Sequence, residues 1–491
     1  MKSAALGAWS ASLDRGRRVC WDVVETARSQ KQVFAALVCY WVWQLFFFQS
    51  PFSGLDKAGV LVTGVPEICL LGTSLVTYGL AQRWEVLLSS AAERRFYLVF
   101  VGTALAGGTV CFCLAPSLVL FPVLSWTLAL AGSIAMGAAA ALYIIEMSRL
   151  FSQLGPRFAL FLGVGSLLLA ALGLGLVSLL PFAGQGAVLV GAAVGALVFL
   201  SRARSQFPRK RLFSWGQDTA MRKPIKLLVT CFVQGAALGI MSALDPSASS
   251  GMQGSFLTAT AFALGALVLL ATAGLLSMDF NHLLYQIGFP LMALGFLGHV
   301  CLPGNVGVSE FLFGLAHCYV YVLMTCICSY FSNCLKCSPV WIVALTTLCM
   351  VGGQLVGVLL VEIAGALSLL PMTAMGLSGV MTFLLPVAAL LLLSNDNPVS
   401  GWGAMRPDQR GEEGDRALFA KIASDYQLTA REHEITEYLA RGRNKRYISQ
   451  ELDLSEETVK THMGNIYRKL LVHSQQELID LVEKERQARD R

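Results

Sequence analysis

Apolar stretches of bilayer-spanning length recur along most of the chain. A spanning helix needs about 20 mostly apolar residues. Runs of this kind fall at 33–50, 58–80, 96–114, 118–146, 158–180, 186–201, 225–244, 255–277, 283–302, 309–331, 340–364 and 370–394. They predict twelve transmembrane helices. Residues 395–414 are polar and contain glycine, which reads as a flexible linker spanning roughly 25 Å root-mean-square. Residues 415–427 read as a lead-in helix, and from 428 short amphipathic segments with the helical 3.6-residue period begin. The expected chain is all-α, a polytopic transmembrane helical bundle followed by a small four-helix domain. Its segments are a basic N-terminal stretch (1–32), the membrane domain (33–394), the linker and lead-in helix (395–427) and the C-terminal domain (428–491).

Composition agrees with a bilayer as the main solvent. The 491 residues are 55% hydrophobic and only 14% charged, against about 25% charged in an ordinary soluble protein. Mean hydropathy is +0.62. The first apolar run begins too late for a signal-peptide core and many spans follow it, so no cleavage is expected.

Placing the N-terminus inside puts Arg15, Arg17, Arg18, Arg83, Arg149, Arg157, Arg202, Arg204 and the 209–211 cluster on the inner side, with Lys57 alone outside. Basic residues are retained in the cytoplasm. The expected location is therefore the inner (cytoplasmic) membrane, multi-pass, with both termini cytoplasmic.

Charge and cysteine narrow the reading further. The net charge of +6 lies in the membrane loops; from 395 onward, 16 Lys and Arg face 18 Asp and Glu. Most of the 13 cysteines lie in apolar runs, Cys39, Cys111 and Cys318 among them, where Cys acts as a small hydrophobe. Cys334 and Cys337 form a lone CxxC with no second pair or histidine cluster. No metal or cofactor is expected.

The basic loop 202–224 divides the spans into two sixes. Phe151-Ser152 with Pro156 after span four is echoed by Phe331-Ser332 with Pro339 after span ten. Two six-helix halves joined by a basic loop resemble the major facilitator superfamily, which implies a transporter-like bundle. The stretch Gly79–Glu85 lacks the Asp and the basic cluster usual there in that family. Ionisable groups at membrane depth are functional candidates: Glu67, after Pro66 and read as mid-span, and Glu146, His317 and Glu362, each a candidate for ligand or proton sensing. Interhelical hydrogen bonding, or an interfacial place for Glu146, is the competing reading.

The C-terminal segment carries the sharpest pattern. Thr429 with Glu432 reads as a capping box; Ile435, Tyr438 and Leu439 form an apolar face; Gly442 is a C-cap. Ile448 and Leu452 mark a short second helix. Ser455 caps a third helix whose Val459, Met463, Ile466 and Leu470 face inward. This succession, with Leu454-Ser-Glu-Glu-Thr-Val-Lys-Thr-His462, resembles the LuxR/FixJ-type helix-turn-helix. Gly464 and Gln475 depart from its usual residues.

The resemblance implies double-stranded promoter DNA as partner and a homodimer on DNA. Lys460 and Thr461 are the candidates for base edges. Thr458, His462, Asn465, Arg468 and Lys469 are candidates for phosphate contact or fold support. Leu478, Ile479, Leu481 and Val482 form either a dimer face or plain packing of the last helix.

No receiver or acyl-homoserine-lactone domain is read before the motif, which leaves the bundle as the input module. The expectation is a bacterial membrane-bound transcription regulator whose bundle senses an unknown small molecule or membrane state. The alternatives are a transporter with a DNA-binding tail and an anchored regulator released by proteolysis. No phosphate loop, nucleophile–base set or metal spacing points to an enzyme.

Overall fold

The computed structural model describes residues 2–49, 65–92, 95–118, 120–207, 224–244, 251–275, 280, 282–302, 305–333, 337–367 and 372–392, and towards the C-terminus 419, 422–440, 445, 448–449, 452, 454–472, 474–478 and 480–482. The chain divides into two units, Met1–Gly403 and Ala404–Arg491. All regular structure among the described residues is helical.

The first unit opens with α1 (Lys2–Ser29) and continues with α2 (Lys31–Gln49), α3 (Val65–Arg83), the short α4 (Glu85–Ala92), α5 (Arg95–Leu114), α6 (Pro122–Leu154), α7 (Pro156–Val177) and α8 (Phe182–Ser205). Then follow α9 (Ile225–Leu244), α10 (Gly251–Leu270), α11 (Phe289–Cys301, led by the π-helical turn His282–Gly288), α12 (Val306–Asn333), α13 (Pro339–Ala366) and α14 (Met372–Leu392). Among the described residues, ten helices are long and apolar enough to cross a membrane. Helices α2 and α3 pack into the same bundle and occupy the places of the first two predicted spans.

Proline at the first turn, where no backbone donor is needed, starts α6, α7 and α13. Gly155, at φ 88°, turns the chain sharply from α6 into α7. At 33 residues, α6 is about 50 Å long, longer than the hydrocarbon layer of about 30 Å. It runs past the predicted end at 146.

Packing partners repeat at an offset of six spans. Helix α2 packs on α7 and α8, as α9 packs on α13 and α14. Helix α5 packs on α6 and α8, as α11 does on α12 and α14; α3 lies on α6, as α10 lies on α12. The two halves meet where α3 crosses α13 and α7 crosses α10. This is the two-sixes arrangement that the loop charge and the Phe-Ser echo imply. The crossing of α9 with α13 is the closest: a Cβ on Gly235 or Gly239 would collide with the carbonyls of Met350 and Gln354, and one on Gly353 with that of Phe232. Small residues let membrane helices approach in this way.

The N-terminal segment differs from the plain basic stretch expected. Helix α1 packs on α7, and its Asp22 pairs with Arg157 at 2.9 Å. Its mixed polarity hid it from a reading tuned to apolar runs.

In the second unit, α15 (Ala430–Ala440) and α16 (Glu456–Leu470) are continuous helices. Residues 422–425, 448–449, 475–478 and 480–482 are also helical. The core gathers Phe419, Ile422, Ile435, Leu439, Ile448, Val459, Ile466, Leu470, Leu478 and Val482. Gly442, the expected C-cap, lies outside the described residues.

Candidate nucleic-acid interface and membrane cavity

Helix α16 is built at both ends by its own sequence. Ser455, extended at φ −70° and ψ 149°, accepts from the Thr458 amide at 3.1 Å. Glu456 and Glu457 sit at the positive end of the helix. Leu471 closes the other end in the left-handed conformation at φ 56°. Val459, Ile466 and Leu470 are buried and Met463 is half-buried against the same core. That stripe turns Thr458, Lys460, Thr461 and Arg468 outward, where all are exposed. Gly464 lies on this outer side with open space around it.

The predicted polar residues divide into groups by their contacts. Lys460 Nζ reaches Glu457 at 3.3 Å and Thr461 Oγ1 donates to the Glu457 carbonyl at 2.9 Å; both are exposed contacts that leave the side chains on the surface. Arg468 donates to Asn465 Oδ1 at 2.9 Å. His462 and Asn465 are half-buried. Lys469 turns back to the domain, donating to the Gln427 carbonyl at 2.9 Å and to Glu432 at 2.7 Å.

Glu432 also accepts from the Thr429 amide at 2.9 Å, while Thr429 Oγ1 accepts from the Glu432 amide at 3.3 Å, so the capping box closes reciprocally. Burial pushes the Glu432 carboxyl up, but the Lys469 and Thr429 hydrogen bonds outweigh it and hold the carboxyl below its ordinary value. Gln475, one of the two departures, donates to the Leu439 carbonyl at 2.9 Å and so ties the last helix to the end of α15.

Of the four apolar residues read as either a dimer face or plain packing, the described ones follow the packing reading. Leu478 and Val482 belong to the domain's own core and Leu481 packs partly against it. Burying them there satisfies the same amphipathic pattern without a second chain. Ile479 lies outside the described residues.

In the membrane unit the candidate groups fall at different places. Glu67 lies in the first turn of α3 rather than mid-span, because the described helix begins at Val65. Glu362 lies towards the end of α13, which packs on α3. Glu146 is fully buried and held by two arginines, Arg149 Nε at 3.3 Å and Arg204 at 3.1 Å. Arg149 also donates to Ser89 Oγ at 3.0 Å and Arg204 to the Ala92 carbonyl at 2.7 Å. This cluster clasps α4, α6 and α8.

Nearby, Ser338 caps α13 and donates to Glu85, and Ser329 donates to the Phe151 carbonyl at 2.9 Å. These bonds join the two halves at one end of the bundle. Glu85 stands within the stretch that lacks the expected Asp, and reading that stretch against a fixed pattern missed it.

Adjoining cavities lie between the halves, and His317 lines two of them. One of about 90 Å³ is lined by Tyr40, Trp41, Tyr143, Tyr321 and Met350, among others. A second of about 70 Å³ shares Tyr40, Tyr321 and Met350 and adds Gln44 and His317. A third, about 20 Å³, lies between Trp41, His317 and Tyr321. The sequence signal was the aromatic cluster Tyr40-Trp41-Val42-Trp43, which reads as membrane filler until α12 is placed beside it. Among the described residues no group of His, Cys, Asp and Glu is arranged to hold a metal.

With the capped helix and its core in place, the C-terminal unit is a helix-turn-helix domain. Residues 426–482 match the family model for bacterial regulatory proteins of the luxR family, and this segment is a LuxR-family domain in a chain whose other unit is a multi-pass helical bundle. The domain is similar to the uncharacterized response regulatory protein YgeK of Escherichia coli (48% identical over 62 residues, 13% of this chain and 42% of the relative). It is also similar to the response regulator protein TodT of Pseudomonas putida (36% over 66 residues, 13% and 29%) and to the fimbriae Z protein of Salmonella typhimurium (43% over 56 residues, 11% and 27%). The chain therefore spans less than half the length of these curated relatives.

Among solved structures, the human organic anion transporter MFSD10 (TETRAN) aligns at TM-score 0.49 and 16% identity, covering 75% of this chain and 99% of that one. A bacterial homologue of the iron transporter ferroportin aligns at 0.48 and 13%, covering 75% and 98%.

Proposed function

We propose that this protein is a membrane-bound, sequence-specific transcription regulator whose helical bundle is its sensor, and that it is not an enzyme. The carrying observation is α16, which presents Lys460 and Thr461 outward from a Ser455-capped helix within a LuxR-family domain. A recognition helix lays its N-terminal residues against base edges in the major groove. Lys460 and Thr461 read bases; Thr458, His462, Asn465 and Arg468 contact phosphate or support those that do; Lys469 holds the helix in place. The domain binds promoter DNA as a homodimer.

Orientation follows from charge. Arg83, Arg149, Arg157, Arg202 and Arg204 gather at one end of the bundle, and the described residues at the opposite end include no Lys or Arg. The basic end faces the cytoplasm of the inner membrane, together with both termini. A ligand acts by binding one arrangement of the two halves more tightly than the other, which changes the pairing or availability of the DNA-binding domains. The doubled six-helix packing around internal cavities also favours a second reading, a transporter that reports its flux through the tail. Substrate accumulation in cells expressing the chain separates the two.

The test is selective binding of residues 404–491 to genomic fragments at a fixed near-physiological salt, with Lys460→Ala plus Thr461→Ala as control, since charge alone binds DNA without selection. Selective binding that the control loses supports the regulator. No selective binding, even after forced dimerisation, contradicts it.

A further inference from the structure

We infer that the cavities between the two halves form one site for an uncharged, single-ring aromatic molecule bearing both a hydrogen-bond donor and an acceptor. The inference rests on the reading of the bundle as sensor and names the chemistry of what that sensor takes.

Size sets the first limit. The two larger cavities measure about 90 and 70 Å³ and share Tyr40, Tyr321 and Met350. A dry cavity of about 150 Å³ holds a benzene ring, so the space suits one ring rather than a fused system.

The walls set the second. Tyr40 stacks on Tyr143 with centroids 4.3 Å apart and planes at 12°. Trp41 meets Tyr321 edge-on at 5.3 Å and 80°, and His317 lies 5.9 Å from Tyr321. Such walls offer ring faces and edges to an aromatic guest.

Charge sets the third. None of the described residues lining the three cavities is Asp, Glu, Lys or Arg. The buried carboxylate Glu146 is already engaged by the buried Arg149 and the half-buried Arg204. An ionic guest would be desolvated with no counter-charge, which is costly in a low-dielectric site.

The fourth observation calls for polar groups on the guest. Tyr40 Oη, Trp41 Nε1 and His317 Nδ1 are buried and have no hydrogen-bond partner among the described residues. Their side chains are 3%, 8% and 6% exposed, and all three line the cavities. A buried polar group left unpaired is destabilising. The indole N–H requires an acceptor, while the phenol can donate or accept. A neutral ring carrying a hydroxyl and a carbonyl supplies both.

Three probes share a phenol ring and differ in charge: 4-hydroxybenzamide (neutral), 4-hydroxybenzoate (anionic) and tyramine (cationic). Binding is measured by calorimetry on the full chain in lipid nanodiscs at pH 6.5. The expected result is saturable binding of 4-hydroxybenzamide, at least tenfold tighter than either charged probe and weakened at least fivefold by Trp41→Phe and by Tyr40→Phe. Tyr40→Phe keeps the ring and drops one oxygen, Trp41→Phe stays aromatic but removes the indole N–H together with the five-membered ring, and unaltered thermal unfolding midpoints show that both fold. No saturable binding, a charged probe binding as tightly, or neutral binding undiminished in both variants overturns the inference.

DNA affinity of the same nanodiscs, with and without each probe, isolates the sensor reading. If 4-hydroxybenzamide binds as expected but leaves DNA affinity unchanged, the ligand class stands and the sensor reading fails. If only a charged probe binds and shifts DNA affinity, the sensor reading stands and the ligand class fails.

Discussion

The two units handle polar side chains in opposite ways. In the LuxR-family domain, exposed polar groups line the outside of α16, and their partners are one helical turn away: Lys460 with Glu457, Arg468 with Asn465. In the membrane bundle the charged groups either meet inside, as Glu146 does with Arg149 and Arg204, or lie towards helix ends, as Glu67 and Glu362 do. Solvent explains the difference. Water screens an exposed pair until it contributes about 0–1 kcal/mol, so surface charges remain available to a partner such as DNA. A buried pair is held by mutual need, and removing one member leaves an uncompensated charge. The exposed charges Lys460 and Arg468 on α16 therefore remain available to a partner, whereas Glu146, Arg149 and Arg204 in the bundle are committed to structure, as Lys469 and Glu432 are in the domain.

Breaking the committed cluster is the severest test of that contrast. Glu146→Ala leaves Arg149 and Arg204 without their shared carboxylate, and a loss of about 3–5 kcal/mol is expected. It is read as a lowered unfolding midpoint of the detergent-solubilised chain, with DNA selectivity of the tail intact.

Lys460→Ala or Thr461→Ala has the next largest effect: a loss of about 1–3 kcal/mol in discrimination between matched and mismatched sites, measured by competition binding, with the domain's unfolding midpoint unchanged. Lys469→Met reverses that pattern. It removes a charge-assisted bond worth about 1–2 kcal/mol and lowers the stability of residues 404–491. Arg468→Ala, by contrast, leaves stability alone and reduces the salt slope of DNA binding by about 1.

The Lys469–Glu432 bond has a pH signature. The folded Glu432 carboxyl lies below its unfolded value, so its stabilisation is complete above the unfolded pKa of about 4.3. It fades as pH falls through the lower folded value. Denaturant midpoints of the isolated domain from pH 7 to 3 should show this loss, and Glu432→Gln should flatten it.

The smallest effect expected is a gain. Leu471 is 82% exposed and left-handed at φ 56°, a conformation costing a non-glycine residue about 1 kcal/mol. Leu471→Gly should raise the domain's unfolding midpoint.

The same contrast explains what the sequence could reveal. The capping box of Thr429 and Glu432, the Ser455 cap and the Val459–Ile466–Leu470 stripe are relations within three to eleven residues, and they are legible because helix geometry fixes them. Lys469 on Glu432 is partly legible: it lay off the apolar stripe, but its partner sits 37 positions away. The spans were visible from hydropathy, whereas α1 was not, since its packing on α7 depends on Asp22 finding Arg157. The cavity was hidden for the same reason. Tyr40 and Trp41 come from α2, His317 and Tyr321 from α12, and nothing local marks them as neighbours. Leu478 and Val482 show where local pattern stops: an amphipathic face fits an interface or plain packing equally, and only the assembled core shows these two packed inward.

The central claim is that the chain, held in the membrane, reads specific DNA through α16. The most direct measurement is genome-wide crosslinking and recovery of DNA with the full-length chain in cells, beside the Lys460→Ala plus Thr461→Ala form at equal membrane abundance. The account predicts a small set of promoter sites enriched with the unaltered chain and lost with the double substitution. Enrichment that is absent, or that persists unchanged in the substituted form, would contradict it.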